Sequence, residues 1–188
     1  MATSEVQICS NALLLLGDNP ISSFNDGSDR ALLASNLWDN ARQAVLRAHP
    51  WNCAKEMVAL APESTTPAFD WAYQFLLPGD CLRVLHVGES GYADDYIIKG
   101  RRILADVNPL YLTYITDNED VASWDALLVE AMQRYMAFSM AYPITKSAAM
   151  RDSMYTEYTR LFGQAKSVDG QEEPPQTVGD APFLSARY

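Results

Sequence analysis

The residues able to carry chemistry in this chain are few, and their spacing limits what they can do. His49 and His86 are the only histidines. They fall on different expected elements, one closing a helix and one inside a strand, with no carboxylate at a motif distance, so a structural role is expected for both. Gly88-Glu89-Ser90-Gly91 approaches a nucleophile elbow but lacks one residue of G-x-S-x-G, the residue that sets the strained strand-to-helix turn, and it reads as a β-turn. No G-x-x-x-x-G-K-[ST] phosphate cradle and no G-x-G-x-x-G occurs. Asn25-Asp26-Gly27-Ser28-Asp29 lacks the alternate acid spacing and the distal Glu of a calcium loop. Cys9, Cys53 and Cys81 are odd in number and far apart, with no C-x-x-C, which supports neither a disulfide framework nor a zinc knuckle. They read as small apolar residues in a reducing cytoplasm. No metal and no cofactor is expected.

Two clusters of charge remain. Asp80 and Asp94-Asp95 are the acids that would serve a glycan hydrolase, whose chemistry needs an acid and a base or nucleophile roughly 5 to 10 Å apart. Among 24 acidic residues, loop carboxylates read first as solvated groups. Lys99, Arg101 and Arg102 form the densest basic patch, at a hairpin tip, where they would touch a phosphate or an acidic partner or simply stay in water. Three charges do not make a DNA-binding footprint. With 14 Lys+Arg against 24 Asp+Glu, the net charge is −10, which argues against a binder that works by neutralising phosphates. The same sign suits a surface that duplex DNA slides past without specific binding.

The elements that position these residues follow from periodicity. Ser4, with Gln7 three residues on, opens a first helix carrying Val6, Cys9, Leu13 and Leu16, closed by Gly17 and Asn19-Pro20. Asp26 or Ser28 caps a second helix in which Leu33, Leu37, Ala41, Ala44, Val45 and Ala48 recur, ended by Pro50. From Trp51 to about Thr116 the period is strand-like, and four or five antiparallel strands are expected, among them Leu82 to Val87, Leu110 to Thr116 and a hairpin around Gly100. A third helix starts after Ser123 with Leu128, Ala131, Met132, Tyr135, Phe138 and Tyr142 as its apolar stripe, terminated by Pro143. Thr145 caps a fourth, with Met154, Tyr158, Leu161 and Ala165 on one face. The helices share one bundle only if the two ends of the β segment leave and re-enter it close together.

The fold expected is therefore α+β, a four-helix bundle with an inserted small antiparallel β domain and an extended C-terminal tail. Residues 1–50 and 119–166 form the bundle, 51–118 the insertion and 167–188 the arm. Gly170, Pro174, Pro175, Gly179 and Pro182 break regular structure in that arm, yet it ends in Phe183, Leu184, Arg187 and Tyr188, whose aromatic and apolar side chains suit anchoring on a neighbouring surface. No apolar run approaches the roughly 18 residues of a membrane helix, and neither a signal peptide nor a membrane contact is expected, so the chain reads as soluble and beginning near Met1.

In order and spacing, several strings together resemble the head-to-tail adaptor proteins of short-tailed bacteriophages, often called tail tubular protein A. They include Ala12 to Gly17, Pro20 to Phe24, Trp38-Asp39 with Ala41-Arg42, His49-Pro50-Trp51-Asn52, Trp71-Ala72-Tyr73, Leu77 to Val84, Gly100 to Leu104 and Ala141 to Thr145. The resemblance covers most of residues 4 to 165, and none of these strings is a catalytic signature. It implies a structural virion subunit at the head–tail junction, assembled in the host cytoplasm. Such subunits form a dodecameric ring between the portal protein and the tail nozzle protein, with a channel for the genome during ejection. It implies no catalysis. The arm contacts at Phe183, Leu184, Arg187 and Tyr188 come from composition and not from the resemblance. The other classes weighed are a tail-associated glycan hydrolase and a generic oligomeric protein-binding module.

Overall fold

A computed structural model describes residues 4–89 and 93–172. The chain is α+β: helices α1 (Glu5–Leu15) and α2 (Asp29–Ala48), strands β1 (Lys55–Leu60), β2 (Tyr73–Leu76), β3 (Cys81–Val87), β4 (Tyr96–Lys99), β5 (Arg102–Ala105) and β6 (Leu110–Thr116), then helices α3 (Ala126–Thr145) and α4 (Ala148–Asp169). Among the described residues six strands are present where four or five were expected. They form two three-stranded antiparallel sheets, β1-β6-β3 and β2-β5-β4.

Local chemistry sets the helix ends. Ser4 Oγ accepts from the Gln7 amide, and Gly17, at φ +77°, takes the left-handed conformation that closes α1, with Asp18 N bonding back to Leu13 O. Of the two candidate caps of α2, Ser28 is the one used, accepting from Ala31 N, while Asp26 holds Ser28 through its hydroxyl and amide. Asp125, not Ser123, caps α3. Ser123 instead ends a short 3-10 turn and bonds Asp120 O and Asn118. Pro143 does not end α3. Pro143 gives up the donor that would bond Ser139 O, yet the helix runs on, its last turn completed by Thr145 Oγ1 on Ala141 O and Lys146 N on Tyr142 O, with Lys146 left-handed at φ 55°. Ser147, not Thr145, caps α4, which runs on to Asp169, beyond the expected end at 166.

One apolar cluster draws on all four helices, with Ile8 and Leu13, Trp38 and Val45, Leu128 and Met136, and Met154 and Ala165 among its members, together with Trp51 and Ile115. α3 is the central element, packed by α1, α2 and α4. A second cluster lies between the inner faces of the sheets, where Leu110, Leu112 and Tyr114 of β6 meet Phe75, Ile103 and Ala105. Each large side chain buried this way contributes roughly 1.5–3 kcal/mol. The apolar stripes are rotated from those expected. In α2 the buried face is Ala31, Ala34, Trp38, Ala41, Val45 and Leu46, with Ala44 and Ala48 exposed. In α3 it is the methionine and alanine side, which leaves Tyr135 and Phe138 half-buried and Tyr142 exposed. No helix among the described residues is long and apolar enough to cross a membrane.

Candidate functional site

The β segment leaves and rejoins the helices at one point, and a polar cluster gathers there. Asn118 Nδ2 donates to Cys53 O at 2.7 Å, joining the chain two residues past β6 to the chain two residues before β1. Beside this junction Arg42, buried to 6% side-chain exposure, forms a bidentate pair with Asp117 at 2.8 and 3.0 Å and also reaches Asp39 at 2.9 Å and Glu119 at 3.2 Å. Gln43 donates a further bond to Asp117. Burial alone would raise the Asp117 pKa, but the bonds from Arg42 and Gln43 outweigh it and hold this carboxyl below its ordinary value.

Next to the pair lies an open groove of about 570 Å³, lined by Glu56, Asp80, Asp117 and Glu119 with Cys53 and Thr116. Asp80 accepts from Thr116 Oγ1 at 2.6 Å and from Tyr114, whose phenol is pushed up to about 12 by burial and the neighbouring Asp80 charge. Asp94 lines a different groove, with Glu89, Val107, Asn108 and Tyr111, so Asp80 and Asp94 do not share a cleft. Among the described residues no group of three or more His, Cys, Asp or Glu is placed to hold a metal ion.

A second polar hub ties the end of α4 to the exit of α2. Asp169, only 7% exposed, accepts from the Asn52 amide at 2.9 Å and from His49 Nε2 at 3.0 Å, and Asn52 Nδ2 donates to its carbonyl at 2.8 Å. Burial, helped by Lys166 and Lys55, outweighs Asp169 and lowers the His49 pKa, so the neutral ring donates through Nε2. His86, on β3, has its Nε2 3.2 Å from Glu89 O, just past the strand. The two histidines thus serve separate local bonds. Burial pushes the Cys9 thiol up to about 12 and the Cys53 thiol to about 11.

The hairpin tip holds its cations in internal bonds. Arg102 pairs with Glu63 at 2.6 Å, Arg101 donates to the carbonyls of Pro78 and Gly79, and Lys99 Nζ lies 5.9 Å from the centroid of the exposed Phe69 ring. Among the described residues Lys99 is the tip cation whose exposed ammonium has no carboxylate bonded to it. Phe183, Leu184, Arg187 and Tyr188 lie outside the described residues, as do Ser90 and Gly91. The composition-based reading missed the Arg42 and Asp169 hubs. An arginine next to Trp38 and Ala41 on a helix otherwise facing the core, with Asp117 and Glu119 just past a strand, was the available signal for the first. No protein-family model matches the chain, and no curated protein is detectably similar to it.

Proposed function

We propose that this chain is a structural virion protein, a head-to-tail adaptor whose copies form a ring between the portal and the tail nozzle and give the genome a channel during ejection. The observation that carries the reading is the junction. The β segment departs at Cys53 and returns at Asn118 within one hydrogen bond, so residues from both ends of the chain can build one helical body while the β unit stands as an excursion from it. On this reading residues 1–50 and 119–166 act as a four-helix bundle, 51–118 as an inserted β domain, and the chain beyond as an arm that reaches the portal or a neighbour. The work is assembly and not bond-breaking. A preformed portal orders weak lateral contacts and the arm, and ordering about twenty residues costs roughly 1 to 2 kcal/mol each, so the arm's anchors must be well buried in the partner. The acidic net charge leaves DNA free to slide.

Negative-stain images of portal rings incubated with the chain should show an added tier with the portal's symmetry. Portal rings that remain bare at saturating chain would overturn the reading, as would tight binding of duplex DNA by the free chain at moderate salt.

A further inference from the structure

The α3–α4 hairpin carries a surface that the junction does not use. Tyr135 and Phe138 on α3 interleave with Tyr155, Tyr158 and Phe162 on α4. Ring centroids are 5.0 Å apart for Tyr135–Tyr158, 5.2 Å for Phe138–Tyr155 and 5.3 Å for Tyr158–Phe162. None of these rings is fully buried, Tyr155 is 50% exposed, and Tyr142 extends the α3 series at 53% exposure. A contiguous aromatic seam of this kind is a surface that a lone subunit leaves in water at a cost. Among the described residues α4 packs chiefly on α3, and no other helix packs comparably on it.

The charge around the seam differs from that of the rest of the molecule. Residues 126–169 hold five Lys+Arg against four Asp+Glu, in a chain whose net charge is −10. Arg134 and Arg151 are matched by Glu157 and Asp152, whereas among the described residues the exposed Arg160 reaches the neutral Gln164 and Lys166 Nζ lies 5.3 Å from the Phe162 centroid. The seam is thus an aromatic surface edged by two cations that no carboxylate among the described residues matches. The groove beside Arg42 has the opposite sign, lined by Glu56, Asp80, Asp117 and Glu119, of which Asp117 and Glu119 pair with Arg42. A nucleic acid fits the seam poorly, because its phosphates would meet the field of a strongly negative chain.

We propose that the aromatic seam of α3–α4 in one copy docks against the acidic groove at the α2–β1–β6 junction of the next copy. Because the two surfaces differ, the contact is head-to-tail and propagates, closing into a ring where the rotation allows. The proposal rests on the ring reading for its setting but not for its test. Sedimentation equilibrium of the full chain at low salt should show self-association that weakens as salt is added. Arg160→Glu with Lys166→Glu, or Glu56→Lys alone, should each raise the dissociation constant about tenfold, since all three side chains are exposed and none of them bonds the buried Arg42. An equimolar mixture of the two variants should restore association, because each reversed surface then meets a reversed partner. A wild-type chain that stays monomeric, a single variant that associates like wild type, or a mixture that fails to recover would overturn the proposal, as would duplex DNA binding that is lost in Arg160→Glu with Lys166→Glu. Rings that still form on portal after any of these outcomes would leave the adaptor reading standing, whereas a successful charge swap without portal binding would sink that reading alone.

Discussion

Replacing Arg42 by Ala removes the one cation that three carboxylates share at the junction, and the structure sets the size of the effect. Arg42 and Asp117 have side-chain exposures of only 6% and 12%, so the variant strands Asp117 in a poorly solvated position. Breaking a buried pair by deleting one partner typically costs about 3–5 kcal/mol. Asp117 keeps the bond from Gln43, and Asp39 and Glu119, at 73% and 75% exposure, regain water readily, which places the loss near the lower end, about 3 kcal/mol. For a chain of this length that corresponds to a fall in Tm of roughly 6–12 °C. Urea unfolding followed by tryptophan fluorescence measures it directly. Arg42→Met combined with Asp117→Leu should lose markedly less than Arg42→Ala, because no charge is left uncompensated. The sign with pH is fixed as well: in the wild type the Asp117 carboxyl is held below its ordinary 3.8, so its contribution is present above that value and is lost as pH falls towards the depressed one. The gap between wild type and Arg42→Ala should therefore narrow on acidification. A loss below about 1 kcal/mol, the scale of an exposed pair, or a gap independent of pH would refute the reasoning.

Further outcomes follow from the other hubs. His49 is held below its ordinary 6.5 in the folded state, so stability should decline as pH falls through 6.5 towards the lower folded value, and His49→Gln should flatten that part of a stability–pH curve. Cys9, fully buried with its thiol near 12, should resist a thiol reagent at mildly alkaline pH until denaturant is added, and rapid labelling of the native chain at Cys9 would contradict its placement in the core. Removing residues 182–188 should weaken attachment to portal rings in a pull-down while leaving the helical circular-dichroism signal unchanged; equal binding by the truncated chain would remove the arm from the account.

Local signals were legible where a single residue type decides the geometry. Ser4, Gly17, Ser28, Pro50 and the Gly100 turn all mark element ends in the sequence, and the hairpin around Gly100 pairs Lys99 with Arg102 as its spacing implies. What depended on tertiary partners was harder to read. The aromatic positions of α3 share a period with its true core face, so Tyr135, Phe138 and Tyr142 read as core although Met132, Met136 and Met140 fill it. Periodicity reports a stripe but not which edge of it meets α1 and α2. Pro143 misled for a related reason: a missing backbone donor and ring clash cost about 3 kcal/mol, and tertiary packing offsets that here, with Met140 and Ala141 just before it fully buried. The Arg42 pair spans 75 residues and the Asp169 hub 117 from Asn52, separations at which no spacing rule operates. The acids of the groove were visible as types, but only the β1–β6 pairing brings Glu56 near Asp117.

The adaptor account is tested most directly by sedimentation velocity of the chain with and without portal rings. It predicts that at moderate salt the chain shifts onto the portal boundary and saturates at a fixed number of copies per portal subunit, whatever weaker self-association the chain shows alone at low salt. Portal rings that sediment unchanged at every ratio would contradict it.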